Sequence, residues 1–451
     1  MPRGLGQSML ATAKPSGPKN PWLAYATLYR DPLGYLTRAA RKHGDVVHLK
    51  IGRKSDFLLN RPDLVRAALL DHEKNLRRCV NRPLRRLLGT GLLTCRSERH
   101  KQQRALLQPI FTRERIVALG DVMVGQTTRW AKKWRDGATV DMAEEMTELA
   151  MSITAKALFN VDLSSKSAEL RDTLATLLQA THFKNLVVTS KQFEKLSLPF
   201  HRRFARAEEK LDTEIDAMIA ERQNGACDAP DLLSTMLRLR RQSRIGLTDE
   251  KMRDQILTFF TVGHETTATG LMWTWYLLSE NLEVAKKLYS EVDHVLRDRL
   301  PSGPDCDRLQ YTRMVFAESM RLYPPIWLMT RRAVRDVKIN DLVIRNGSYV
   351  HLSPFVMHRD PRYFPDPERF DPERWTPEAA ATRPKFSYFP FGGGPLQCIG
   401  EGFAWTEGIL VISTLARKWQ MRLVPGHRIE LDPHITLRSR YGMPMVLQRR
   451  K

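Results

Sequence analysis

Residues 389–400 read FPFGGGPLQCIG. Four glycines and two prolines surround one cysteine, Cys398, and the text that follows, EGFAWTEGILVISTLARKW (401–419), reads as an apolar helix. Glycine has no Cβ, so backbone N–H groups can approach a sulfur closely in such a loop. A cysteine just before a helix start also feels the positive end of the macrodipole, which lowers a thiol pKa. The stretch therefore predicts a stabilised thiolate able to ligate a metal. A buried cysteine in a glycine-rich turn is the plainer reading of these residues taken alone.

The rest of the chain narrows the choice. At 451 residues with 42% hydrophobic content it can bury a large core. Lys and Arg number 72 against 50 Asp and Glu, giving a net charge of +22. That surplus predicts an acidic partner, or else a plain solvated basic surface. The five cysteines, Cys79, Cys95, Cys227, Cys306 and Cys398, are widely spaced and form no CxxC. A disulfide framework and a structural zinc site are thus disfavoured, and a reducing, cytoplasmic setting fits. No signal-peptide core and no long uninterrupted apolar run occurs, so no transmembrane segment is expected.

Coarse patterning predicts a mainly α chain with small β-sheets, an α+β class. GDVVHLKIGRKSDFLLN (44–60) reads as two strands about a glycine turn, and 331–353 and the last 30 or so residues are also strand-like. Between about 100 and 300 the text is helical, as in DMAEEMTELAMSITAKALF with Met142, Met146, Leu149 and Ile153 at helical spacing. Residues 221–232 read as a loop. Residues 1–20 read as a flexible lead, and 21–451 as one interleaved domain, because strands from both ends must pair.

FGGGPLQCIG resembles the haem-ligand loop of the cytochrome P450 family, FGxGxRxCxG, with Phe391, Gly392, Gly394, Cys398 and Gly400 in place. The resemblance implies haem b with Cys398 as axial ligand to its iron, between a long central helix and the helix after the loop. The family's arginine position holds Leu396. Loss of one charge-assisted propionate contact costs roughly 1.5–3 kcal/mol if nothing replaces it. In TCRSERHKQQRALLQPIF (94–111), His100 and Arg104 fall where the family's C-helix binds propionate, and Arg331 falls at another propionate position. These cations are the expected compensation.

FAESMRLYPP holds Glu318 and Arg321, three apart and so on one helical face. With PERW at 372–375 the pattern resembles the family's Glu-Arg-Arg triad, Arg374 being its third member and Arg369 of PERF (367–370) a decoy. DQILTFFTVGHETTATGLMWTWYLLSE (254–280) is apolar all round except for VGHETT at its centre. Buried polar groups are costly unless paired or functional. The segment resembles the family's oxygen-activation motif, with Glu265 as the acid and Thr266 as the alcohol that deliver protons, and with Val262 where a small residue is usual. His264 falls at the variable position and is assigned no ligand role.

The implied activity is that of a haem-thiolate monooxygenase. It would insert one atom of O2 into a small hydrophobic substrate, with electrons from NAD(P)H passed on by a separate ferredoxin or flavodoxin. A peroxide-driven peroxygenase and a non-catalytic haem or ligand-binding protein are the alternatives. Nucleic acid is not an expected partner, since no recognised binding motif is present. Leu87, Phe259, Val262, Ile326 and Leu328 are the candidate pocket residues.

Overall fold

The helix Asp249–Glu280 is the spine of the structure. Thr248 caps its start by accepting the Lys251 N–H, and Asp249 and Glu250 sit in its first turn, where the dipole favours acids. Most of its threonine hydroxyls are satisfied within the helix: Thr258, Thr266, Thr267, Thr269 and Thr274 each donate to the carbonyl four residues back, while the buried Thr261 hydroxyl has no partner. The helix runs unbroken through VGHETT. The computed structural model describes residues 15–163, 199–224, 231–241 and 248–450, apart from 19, 52, 53 and 81, together with a few positions from 169 to 177.

Against this spine pack the helices Met142–Phe159, Gln310–Leu322 and Glu401–Ala416. The approach of the last two is close. A Cβ on Gly408 would lie 2.2 Å from the Phe316 ring, so only glycine fits at that crossing. One large apolar cluster fills the space among these helices, with Ile153, Leu257, Trp273, Phe316 and Leu410 nearly sealed from solvent.

A five-stranded sheet lies to one side, in the order Val46–Ile51, Lys54–Leu59, Tyr349–Leu352, Met329–Ala333, Leu76–Arg78. Segments almost 300 residues apart meet in it, as in the parallel register Phe57↔Val350. A three-stranded sheet joins Thr139–Asp141, Pro444–Arg449 and Trp419–Leu423. The short strands Leu76–Arg78 and Thr139–Asp141 carry no legible alternation and were not expected. The expected loop at 221–232 is shorter than read, because residues up to Asn224 complete the helix Pro199–Asn224 and another helix starts at Leu232. Between them, 225–230 lie outside the described residues, as does most of the expected lead at 1–20. Among the described residues no helix is long and apolar enough to cross a membrane.

Candidate active site

The cysteine loop is built by backbone geometry. Gly392 and Gly394 sit at φ +72° and +69°, a region that side chains with a Cβ rarely adopt. A Cβ on Gly394 would also lie 2.4 Å from the Leu69 carbonyl oxygen. The Cys398 N–H donates to the Phe391 carbonyl at 3.0 Å, closing the loop, and Gly400 caps the helix Glu401–Ala416. Cys398 is exposed. The loop nevertheless crowds its sulfur, and this loss of water pushes the thiol up to about 11, against the pull of the Gly400 N–H, Arg104 and Arg78. Dehydration thus outweighs the helix terminus at this sulfur, and the expected thiolate ligand forms as a metal displaces the proton.

Beside the loop stands a group of cationic side chains. The loop before the helix Ser97–Leu107 is pinned to the spine, with the Thr90 N–H donating to Asp254 at 2.6 Å and the Leu92 N–H to Gln255 at 3.1 Å. That fixes His100, which is buried, and Arg104, whose guanidinium donates to the Gln397 carbonyl at 2.5 Å. Arg331 is buried in its strand and donates to the Thr330 carbonyl at 3.3 Å. Burial, then Arg78, lowers Arg331 to about 10, and burial with Arg78 and Arg104 lowers His100 to about 4. Arg78 was missed by the sequence reading, since only its position in a three-residue strand brings it here.

On the spine, the sequence from Asp254 to Trp275 is buried except at Val262, Gly263 and Thr266. Positions i, i+1 and i+4 share one face, so the helix has a single open window at its middle. Thr266 Oγ1 donates to the Val262 carbonyl at 3.0 Å. Glu265 lies outside that window. Its Oε1 accepts from Thr436 Oγ1 at 2.6 Å and from Arg438 Nε at 2.8 Å. Burial raises this carboxyl, but Arg438, His264 and Thr436 together outweigh it and hold the group below its ordinary value, hence ionised. His264 gives its Nδ1 to the Phe260 carbonyl at 2.6 Å, and burial lowers it. Thr436 and Arg438, 171 and 173 residues from Glu265, had no signal in the local sequence.

Glu407 is a further buried carboxyl that the sequence reading did not single out. Neither oxygen has a hydrogen-bond partner of normal geometry, and burial pushes it well above the carboxylate range, with Thr267 the only opposing influence. It sits on the helix that Cys398 precedes and reaches toward the residue after Thr266.

The pair Glu318–Arg321 is fully buried and doubly bonded, both contacts at 2.8 Å. Arg374 reaches Glu318 at 3.3 Å, while Arg369 is exposed and offers only its carbonyl to Arg321 at 3.0 Å. Arg321 also donates to the carbonyls of His358 and Pro367, so the pair fastens 358–375, just before the cysteine loop. Of the pocket candidates, Val262, Ile326 and Leu328 are half-exposed. Leu87 is 1% exposed and Phe259, stacked on Phe111 at 5.4 Å, 7% exposed, so both lie within the core.

The donor set suits a haem. An accessible sulfur ends a glycine loop, and guanidinium groups held only by carbonyls stand near it, as two propionate carboxylates require.

The sequence profile described as Cytochrome P450 matches residues 15–441. A cyclooctat-9-en-7-ol 5-monooxygenase of Streptomyces melanosporofaciens is 35% identical over 88% of this chain and 87% of its own. Cyclooctatin synthase of the same organism is 35% identical over 90% and 89%. Pentalenene oxygenase of Streptomyces avermitilis is 29% identical over 88% of each chain. The glycine-built cysteine loop, the window in the spine and the match along nearly the whole sequence agree, and the chain belongs to the cytochrome P450 family, as a haem-thiolate monooxygenase.

Proposed function

We propose that this monooxygenase oxidises a hydrophobic terpenoid, in the cytoplasm, with electrons delivered by an acidic ferredoxin or flavodoxin and its NAD(P)H reductase. The substrate class rests on the relatives' names, two of which specify cyclooctat-9-en-7-ol and pentalenene as the molecule oxidised. It is consistent with the half-exposed apolar side chains Val262, Ile326 and Leu328. The compartment fits the free thiols of Cys95, Cys306 and Cys398.

The observation that carries the reading is the window at Val262, Gly263 and Thr266 in an otherwise buried helix. Haem, when bound, supplies the iron at which O2 is activated. Cys398 is its ligand, in a loop shaped by Phe391, Gly392, Gly394 and Gly400. His100, Arg104 and Arg331 hold its carboxylates. Thr266 presents its hydroxyl at the window and hands on a proton by turning from the Val262 carbonyl. Glu265, ionised against Arg438, receives protons from the solvent side, because Arg438 is 35% exposed while Glu265 is only 10% exposed. Glu318, Arg321 and Arg374 keep the segment before the loop in place.

The electron donor docks beside the cysteine loop. Arg96, Arg99 and Lys101 are exposed on or next to the helix of Arg104, and Arg313 lies over the Trp405 ring at 4.5 Å on the helix after Cys398. Charge reversal at Arg99 and Lys101 is expected to slow reduction and flatten its salt dependence.

The deciding experiment is spectroscopic. Reduced protein under carbon monoxide is expected to show the absorbance of thiolate-ligated haem, and Cys398→Ser to lose it. A panel of terpene hydrocarbons and alcohols should then shift the haem spectrum and yield hydroxylated products. A spectrum unchanged by Cys398→Ser would sink the reading, and silence toward terpenoids beside a response to fatty acids would sink the substrate class.

A further inference from the structure

Arg78 stands directly opposite Arg331 in the antiparallel pairing of Leu76–Arg78 with Met329–Ala333. Directly paired residues have their Cβ atoms about 5 Å apart on one face of the sheet, where like charges repel. The same two strands pair Arg77 with Arg332 on the other face, and both of those are exposed, so water screens them. Arg331 is buried and Arg78 is half-buried, so that relief is largely denied to this pair.

What the pair does have is carbonyl oxygen. Arg78 Nη1 donates to the Leu93 carbonyl at 2.7 Å, and Arg331 and Arg104 likewise bond only to carbonyls. A guanidinium has five N–H donors, so most remain for something else. Arg78 also feels the Cys95 sulfur, Arg104 and the Cys398 sulfur, so it links Arg331, its partner across the strand pair, to Arg104. Among the described residues Glu73 is the carboxylate that bears on Arg78 and Arg331, and it forms no ion pair with either. Three guanidiniums with no ion-pair partner among the described residues, and only Glu73 acting on two of them from a distance, call for an anionic ligand with more than one carboxylate.

The cysteine loop has a gap at the matching place. Leu396 is half-buried in the turn Gly394–Leu396, one residue before the carbonyl that Arg104 holds. The loop therefore contributes a backbone contact but no charge.

We propose that Arg78 is the anchor that replaces the charge missing at Leu396, gripping a haem carboxylate together with Arg331 from the adjacent strand. The inference rests on the haem-thiolate reading. It moves one cofactor contact from the cysteine loop to the sheet. In the free chain the cations repel one another, and binding relieves that repulsion. Arg78 is thus a binding residue whose removal costs the loaded protein and not the empty one.

The test measures haem loss from the loaded full-length chain to an excess of haem-scavenging apoglobin, and thermal unfolding of the same variants with and without haem. Arg78→Leu is expected to speed haem loss about tenfold or more while leaving the empty chain as stable as the parent, or more so. Arg78→Lys, which keeps the charge but loses the fork, falls between them. Adding Leu396→Arg to Arg78→Leu is expected to recover most of the retention, and Arg77→Leu to change nothing. Haem loss from Arg78→Leu and Arg78→Lys at the parental rate would overturn the proposal, as would equal destabilisation of loaded and empty forms, which marks a structural role. A parent protein without the thiolate-haem spectrum would instead overturn the underlying reading.

Discussion

Two buried glutamates in this chain are each paired with arginine, and they differ in where the arginine leads. Glu318 and Arg321 lie three residues apart on one helix, and both are 0% exposed. Glu318 also receives the Trp375 indole at 2.9 Å and the Asp371 N–H at 3.0 Å, so its lone pairs are consumed. Glu265 takes Arg438 from a hairpin strand, Leu437–Ser439, and that arginine is 35% exposed. The first arrangement is closed and joins two segments. The second has one end in water and the other a single residue from Thr266. Burial of a carboxylate alone does not distinguish a strut from a conduit; the solvent access of its partner does.

The comparison breaks most visibly at the strut. Removing one partner of a buried pair leaves an uncompensated charge, at a cost of about 3–5 kcal/mol. Arg321→Leu is expected to lose that much in chemical unfolding, and to accumulate little haem-loaded protein, since 358–375 loses three carbonyl anchors as well. A variant within about 1 kcal/mol of the parent would show that the pair is not a strut.

At the conduit the loss should fall on rate. Glu265→Gln keeps the shape and the bond to Thr436 but cannot carry a proton. Productive turnover is expected to fall about 100-fold, roughly 2.7 kcal/mol of barrier, while reductant is still consumed. Unfolding should change far less than in Arg321→Leu, because the freed Arg438 can resolvate. If substrate oxidation per reductant stays at the parental ratio, Glu265 is no conduit.

Arg438→Leu sharpens the same point with a pH readout. Arg438 is the largest of the influences holding the Glu265 carboxyl down. Without it, burial wins and the folded pKa rises. A carboxylate with a depressed folded pKa adds stability above its unfolded value that is lost as pH falls, so this variant forfeits that contribution. Turnover is expected to drop about tenfold near neutrality, roughly 1.4 kcal/mol, with the acid limb of the rate profile moved to higher pH. An acid limb that stays in place would assign the limb to another group.

What is local in this molecule can be read from the sequence. The two positive φ angles at Gly392 and Gly394 demand glycine where FGGGP supplies it, and the i, i+3 spacing of Glu318 and Arg321 already puts them on one face. The uninterrupted apolar text of 254–280 marks a buried spine. What the sequence hides arrives through pairing of short strands. Leu76–Arg78 and Leu437–Ser439 are three residues each, too short for periodicity, yet they deliver Arg78 and Arg438. At Cys398 the two kinds of signal meet. The helix terminus is visible in the text, whereas the crowding that raises the thiol exists only once the loop has folded. Glu407 is similar: TEG looks like a surface turn of the helix until the Phe316 side closes over Gly408.

The smallest effect concerns a charge that the fold suppresses. His100 is buried among cations and is lowered to about 4, first by burial and then by Arg78 and Arg104. An unfolded histidine binds its proton near pH 6.5. Between those values the unfolded chain holds a proton that the empty folded chain refuses, so stability is full above about pH 6.5 and is lost as pH falls toward 4. The loss amounts to about 1 kcal/mol at pH 6. His100→Gln should remove that part of the slope in urea unfolding of the haem-free protein, leaving the contributions of His264 and His358, which are also lowered by burial. In the loaded chain the carboxylates of haem would face the same imidazole and favour its charged form, so the difference between parent and His100→Gln should shrink on loading. Equal slopes for parent and variant in the haem-free state would mean that the cations about His100 are already relieved by solvent, and that the contrast between closed and open partners extends to this recess as well.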